Sequence, residues 1–126
     1  MHVTENGLLR LFRYFGGSLC ALSLGHVNIY GEHCNWNTIF SQLTSTLPHL
    51  ESIAVTWLGE FDGTHSRRVM FPSIWLNPVV PGTHGRSFEP IFRRPYHKER
   101  RLFGVRYKGA GIQAALEMLN LSVEHI

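Results

Sequence analysis

Two stretches of the chain carry the same apolar pattern at one fixed interval, the step from Leu8 to Ile39. The same step carries Phe12 to Leu43, Leu19 to Leu50, Leu22 to Ile53, Leu24 to Val55 and Val27 to Leu58. Each copy reads as a helix followed by a short strand. A helix that is apolar along one stripe cannot bury that stripe alone, nor can a strand too short to stand by itself. Units of this kind therefore stack side by side on one shared core. Fewer folds remain open to such a chain than its composition alone would allow.

In the first unit, residues 8–29, the spacing Leu8, Leu11, Phe12, Phe15 is the i, i+3, i+4, i+7 face of a helix, with Arg10 and Arg13 on the other side. Thr4 or Asn6 is placed to cap it, after an N-terminal stretch polar enough to fray. Gly16 and Gly17 are expected to end it in the left-handed conformation. Leu19, Leu22, Leu24 and Val27 then follow the L-x-x-L-x-L-x-x-V spacing of a leucine-rich-repeat strand, with Leu22 and Leu24 on one face. In the second unit, residues 39–60, Asn35 caps a helix striped by Trp36, Ile39, Phe40, Leu43 and Leu47. Pro48 stops that helix, and a strand carries Ile53 and Val55.

Beyond residue 58 the interval finds no further copy. Residues 59–68 read as a loop, and residues 69–76, with Pro72, as a short strand or buried loop. Residues 77–101 form a basic loop rich in proline and glycine, extended and partly mobile. Residues 102–107 read as a strand. After the turn Gly109-Ala110-Gly111, the stripe Ile112, Leu116, Leu119, Val123, Ile126 predicts a helix running to the C-terminus. This strand–helix pair, 102–126, has the reverse internal order and is expected to cap the stack. With only two clear units against the three or so that usually make a stable solenoid, a cap or a partner must cover the open end.

The 126 residues match one domain, and an apolar content of 44% suffices for one core. The formal charge of +3 is too small to imply nucleic acid by itself. Its distribution is uneven: eight of the twelve cations lie between residues 86 and 108, opposed there by Glu89 and Glu99 alone. The two cysteines, Cys20 and Cys34, are too few for a stapled secreted domain and point to a reducing compartment, cytoplasmic or nuclear. Cys20 falls inside the apolar pattern and reads as buried, whereas Cys34 sits with His33 in a surface turn. No run of residues approaches the length that spans a bilayer.

Candidate chemistry is sparse. Gly109-Ala110-Gly111-Ile112-Gln113-Ala114 matches G-x-G-x-x-A between a strand and a helix, yet too little chain follows for the acidic residue that would bind a ribose, so it reads as a tight turn. The cysteines and histidines lack zinc spacing, and no metal or other cofactor is expected. Glu60, Asp62 and His65 are the one tight acid–base grouping, and solvated turn chemistry explains them more simply than catalysis. The non-trivial surface is the basic segment. Arg86, Arg93, Arg94, Lys98, Arg100 and Arg101 are interleaved with Phe88, Phe92 and Tyr96, a mixture that fits an acidic protein patch or, alternatively, nucleic acid gripped by phosphate contacts and base stacking. Trp57 falls between Val55 and Leu58, so strand alternation turns it outward. It is either an anchor for a protein partner or covered by the next segment.

The run from Gly16 to Ile29, Gly-Gly-Ser-Leu-Cys-Ala-Leu-Ser-Leu-Gly-His-Val-Asn-Ile, followed by Asn35-Trp36-Asn37-Thr38-Ile39-Phe40, resembles the leucine-rich-repeat region of filamentous-fungal F-box-like proteins. The tail, Asn77-Pro78-Val79-Val80-Pro81-Gly82 and then Phe103-Gly104-Val105-Arg106-Tyr107-Lys108-Gly109, resembles their C-terminal end. The resemblance implies a partial solenoid that displays a surface to another protein. In such proteins the F-box recruits a ubiquitin-ligase core while the repeats choose the substrate. Only Met1 to Gly7 precede the first expected helix here, so ligase recruitment is not implied and the chain reads as a fragmentary relative. The expectation is thus an α/β, leucine-rich-repeat-like stack with a parallel sheet, a non-catalytic protein-binding module whose candidate contact residues are Trp57, Arg93, Arg94, Tyr96, Lys98, Arg100 and Arg101. The alternative is a nucleic-acid-associated module using residues 86–108.

Overall fold

The computed structural model describes residues 1–91 and 102–126. Within them the chain forms four helices and two mixed sheets in the order β1 (His2–Thr4), α1 (Glu5–Phe15), β2 (Ala21–Gly25), β3 (Asn28–Tyr30), α2 (Trp36–Thr46), β4 (Ser52–Thr56), β5 (Gly59–Phe61), β6 (Ser66–Met70), α3 (Pro72–Leu76), β7 (Glu89–Pro90), β8 (Gly104–Lys108), α4 (Ile112–Leu121) and β9 (Glu124–His125). One sheet runs β2-β4-β8-β7 and the other β1-β3-β5-β6-β9.

The interval seen in the sequence is the strand register. β2 and β4 are parallel neighbours, Leu22 opposite Ile53 and Leu24 opposite Val55. The same interval sets a second parallel pair, with β3 beside β5 and Ile29 opposite Glu60. Each unit therefore contributes a helix and two strands, one to each sheet. The corner between the two strands recurs as well. His26 (φ 55°) and Trp57 (φ 56°), equivalent positions of the two units, both take the left-handed backbone that redirects the chain from one sheet to the next. The residue after each corner, Val27 or Leu58, is buried.

α1 and α2 start as their capping residues dictate. Gly7 N–H donates to Thr4 Oγ1 at 3.0 Å, and Asn37 N–H donates to Asn35 Oδ1 at 2.8 Å. α2 ends before Pro48, as expected. The end of α1 differs from expectation, because Gly16 is right-handed (φ −58°) and a left-handed closure is absent there. Its glycine has another cause: a Cβ at Gly16 would run into the backbone carbonyl of Thr46 at the end of α2. α2 packs against both α1 and α4, and Asn37 Nδ2 ties it to α4 by donating to Asn120 O at 2.8 Å. Leu8, Phe12, Trp36, Ile39, Phe40, Leu43, Ile53, Val55, Val105 and Leu116 are all buried in one cluster, each contributing about 1.5–3 kcal/mol on burial.

Several expectations are corrected by edge pairing, since an unpaired strand edge recruits whatever chain can reach it. The sheets are mixed where a parallel sheet was expected. β8 pairs antiparallel with β4, and β6 pairs antiparallel with β5. Residues 59–68 are a hairpin whose Asp62 carboxylate accepts from Thr64 N–H (2.8 Å) and His65 N–H (2.7 Å). The N-terminal stretch does not fray, since β1 pairs parallel with β3. Residues 69–76 split between the end of β6 and the short helix α3, which begins on Pro72. The C-terminal helix stops at Leu121, and Val123 and Ile126 leave the helical stripe because β9 pairs with β6. Part of the expected loop 77–101 is ordered: Val79 bridges Ser87, Val80 and Phe88 are buried, and β7 lies on β8. Its remainder, residues 92–101, lies outside the described residues.

The close approach of α1 and α2 at Gly16 generates a paired prediction. Gly16→Ala should lower unfolding free energy by about 1–3 kcal/mol, because the clash is with backbone, whereas Gly17→Ala, which meets open space, should be neutral or stabilise by up to about 1 kcal/mol. Urea unfolding of the two variants checks it.

Candidate functional site

Strand alternation sends Leu22, Leu24, Ile53, Val55, Val105 and Tyr107 into the core and leaves the opposite face of the four-stranded sheet to solvent. Register fixes which outward residues share a row. Ala21, Ser52 and Lys108 form one row, and Ser23, Ala54 and Arg106 the next, with Glu89 beyond Arg106. The floor over β2 and β4 is thus made of alanine and serine, and the charged side chains stand at the β8 side. The segment carrying Gly85, Arg86 and Ser87 rises beside them and completes a cavity of about 780 Å³.

Its charges are unbalanced. Arg106 Nε donates to Glu89 Oε2 at 2.8 Å, an ion pair with both side chains well exposed. Arg86 Nη2 donates to the backbone carbonyl of Lys108 at 2.8 Å, so its charge is held in place without being neutralised. Lys108 has no ion pair among the described residues. Among the described residues three cations therefore face one carboxylate, and the hydroxyls of Ser23, Ser52 and Ser87 make no hydrogen bond. Small side chains let an extended backbone approach closely, and the cationic wall selects acidic groups on it.

The structure separates the candidates read from sequence. Arg93, Arg94, Tyr96, Lys98, Arg100 and Arg101 lie outside the described residues. Trp57 is half-buried and does not line the cavity. Phe103, from the stretch just before β8, meets its ring edge-on at a centroid distance of 4.6 Å, and Arg68, from β6, sits 5.2 Å over the ring. The cations Arg86, Arg106 and Lys108 belong to the basic segment recognised in the sequence. The small-residue floor was missed, although the signal was present: the alternating residues Ala21, Ser23, Gly25 and their counterparts Ser52, Ala54, Thr56 recur at the interval of the two units.

Glu60, Asp62 and His65 do not converge. Glu60 faces inward with 1% of its surface exposed, and it receives the Trp36 N–H at 2.7 Å, capping α2. Its other oxygen lies 3.0 Å from Arg67 Nη2 and 3.0 Å from His125 Nε2. Asp62 is exposed, and the two backbone N–H groups that it accepts hold its carboxyl below the usual range. The glycine turn is covered by the chain itself. Gly111 is left-handed (φ 84°), and added Cβ atoms would meet Thr83 at Gly111 and the Arg86 guanidinium at Gly109.

The cysteine expectation is reversed, because Cys34 is buried and Cys20 exposed. Asn35 and Trp36 begin α2 at once after Cys34, which draws the thiol inward toward Ile29 O (3.6 Å) and Phe61 O (3.5 Å). Burial pushes the Cys34 thiol above its ordinary value. Among the described residues no group of three or more His, Cys, Asp or Glu is placed to hold a metal ion, and no helix is long and apolar enough to cross a membrane.

Two outcomes follow. Glu60→Ala should destabilise by about 2–4 kcal/mol, since it removes a helix cap and leaves a buried N–H unpaired. Arg67→Ala, whose side chain is 42% exposed, should cost less than about 1 kcal/mol by chemical denaturation. A thiol reagent at neutral pH should label one cysteine of the folded protein, Cys20, and two after unfolding. No family model, curated protein or solved structure matches this chain.

Proposed function

We propose that the chain is a non-catalytic protein-binding module of leucine-rich-repeat character. In this reading its groove on the four-stranded sheet takes an acidic, extended segment of another protein in the cytoplasm or nucleus. Kinship with the repeat region of F-box-type substrate adaptors belongs to the same reading and rests on the sequence resemblance. The observation that carries the proposal is the cavity itself: a floor of small residues in register rows, beside Arg86, Arg106 and Lys108, which among the described residues Glu89 alone opposes. Among the described residues none of the serine hydroxyls that line that cavity is hydrogen-bonded to a base.

Calorimetric titration with a short peptide of alternating glutamate and alanine tests it. Binding should weaken at least about tenfold in the Arg106→Glu, Lys108→Glu double variant, which reverses two of the three cations. Equal binding by that variant would contradict binding in the groove. Tight binding of a single-stranded oligonucleotide with a steep salt slope, and none of the peptide, would favour the nucleic-acid alternative.

A further inference from the structure

The positive charge of the groove is not spread evenly along it. A carboxylate carries one charge on two oxygens, and a single guanidinium can satisfy it. The end of the groove at Arg106 holds that unit already, in the ion pair with Glu89. The other end holds Arg86 and Lys108, which have no ion pair among the described residues. It also holds the hydroxyls of Ser52 and Ser87, which make no hydrogen bond among them.

Register brings these four together. Ser52 lies directly opposite Lys108, a pairing that sets Cβ atoms about 5 Å apart. On the other side of β8, Glu89 lies opposite Arg106, and the rings of Phe88 and Tyr107 continue that register at a centroid distance of 5.4 Å. One residue further, Ser87 therefore comes to Lys108. Arg86 reaches the same place from the end of the strand, where its guanidinium rests on the Lys108 carbonyl at 2.8 Å. A Cβ at Gly109 would strike that guanidinium, so the glycine lets it lie there. The Arg86 backbone is also fixed. Val80 N–H donates to Arg86 O at 2.8 Å, and the Thr83 hydroxyl, 8% exposed, donates to Val80 O. Arg86 is thus held in place before any ligand arrives, with its remaining N–H groups left to that ligand.

We propose that this end of the groove receives a phosphorylated serine or threonine of the bound segment. Arg86 and Lys108 hold the phosphate, and the hydroxyls of Ser52 and Ser87 complete its shell. Paired cations with hydroxyl donors match a phosphomonoester, which carries close to two charges on three outer oxygens. A carboxylate, or a phosphodiester with its single charge, leaves one cation unanswered. The inference rests on the peptide-binding reading above and names the residue such a segment carries.

Calorimetry with two peptides tests it: the peptide of alternating glutamate and alanine, and the same peptide with its central glutamate replaced by phosphoserine. The phosphopeptide should bind at least about tenfold tighter. In Arg86→Gln and in Lys108→Gln, the two affinities should come within about threefold of each other. Arg10→Gln, on the exposed side of α1, should keep the full ratio, which separates this site from net charge. Equal binding of both peptides by the parent would overturn the phosphate site and leave the acidic-peptide reading standing, whereas binding of neither would remove both. A ratio that survives Arg86→Gln and Lys108→Gln, or falls equally in Arg10→Gln, would overturn the site. So would a single-stranded oligonucleotide that binds more tightly than the phosphopeptide.

Discussion

Strands as short as β2 and β3 make too few hydrogen bonds to persist alone, so both sheets depend on each strand finding its counterpart from the other unit in parallel register. That pairing aligns Leu22 with Ile53 and Leu24 with Val55 on the core side, and it aligns Ala21 with Ser52 and Ser23 with Ala54 on the solvent side. A slip of one residue would exchange the two faces, sending leucines to water and serines to the core. The core and the groove floor are thus two consequences of one register.

A stack of two units must also end. At the inner side the end is made by chain that reverses direction: β8 covers β4, and β6 covers β5. Glu60 stands where the first unit has the apolar Ile29, and it marks the place. A buried carboxylate there holds the start of α2 through the Trp36 N–H and lies within 3.0 Å of side chains from β6 and β9. Charge burial is costly unless compensated, and here a helix N-terminus, a guanidinium and an imidazole surround the group.

Helices α1 and α2, the start of α4, the caps at Thr4 and Asn35, and the β2–β4 register are legible in the sequence because each rests on local periodicity or on a side chain bonding its own backbone neighbours. What is not legible depends on partners distant in sequence. β1, β6 and β9 exist because an open edge stood near them, and nothing in His2–Thr4 or Glu124–His125 announces a strand. Gly16 reads as a helix stop but serves the passage of one helix past another. Glu60 reads as loop chemistry because its partners, Trp36 and His125, lie far from it along the chain on either side. Half of the groove is legible: the cations Arg86, Arg106 and Lys108 stand out in a basic segment, whereas the floor opposite them consists of residues too ordinary to notice singly.

Fold and surface both follow from parallel pairing of the two units, and nuclear magnetic resonance of uniformly labelled protein tests that pairing most directly. Cross-strand contacts are expected between the backbone protons of Ser23 and those flanking Ala54, in the staggered pattern of parallel strands. An antiparallel pattern, or the placement of Ser23 and Ala54 in different sheets, would contradict it.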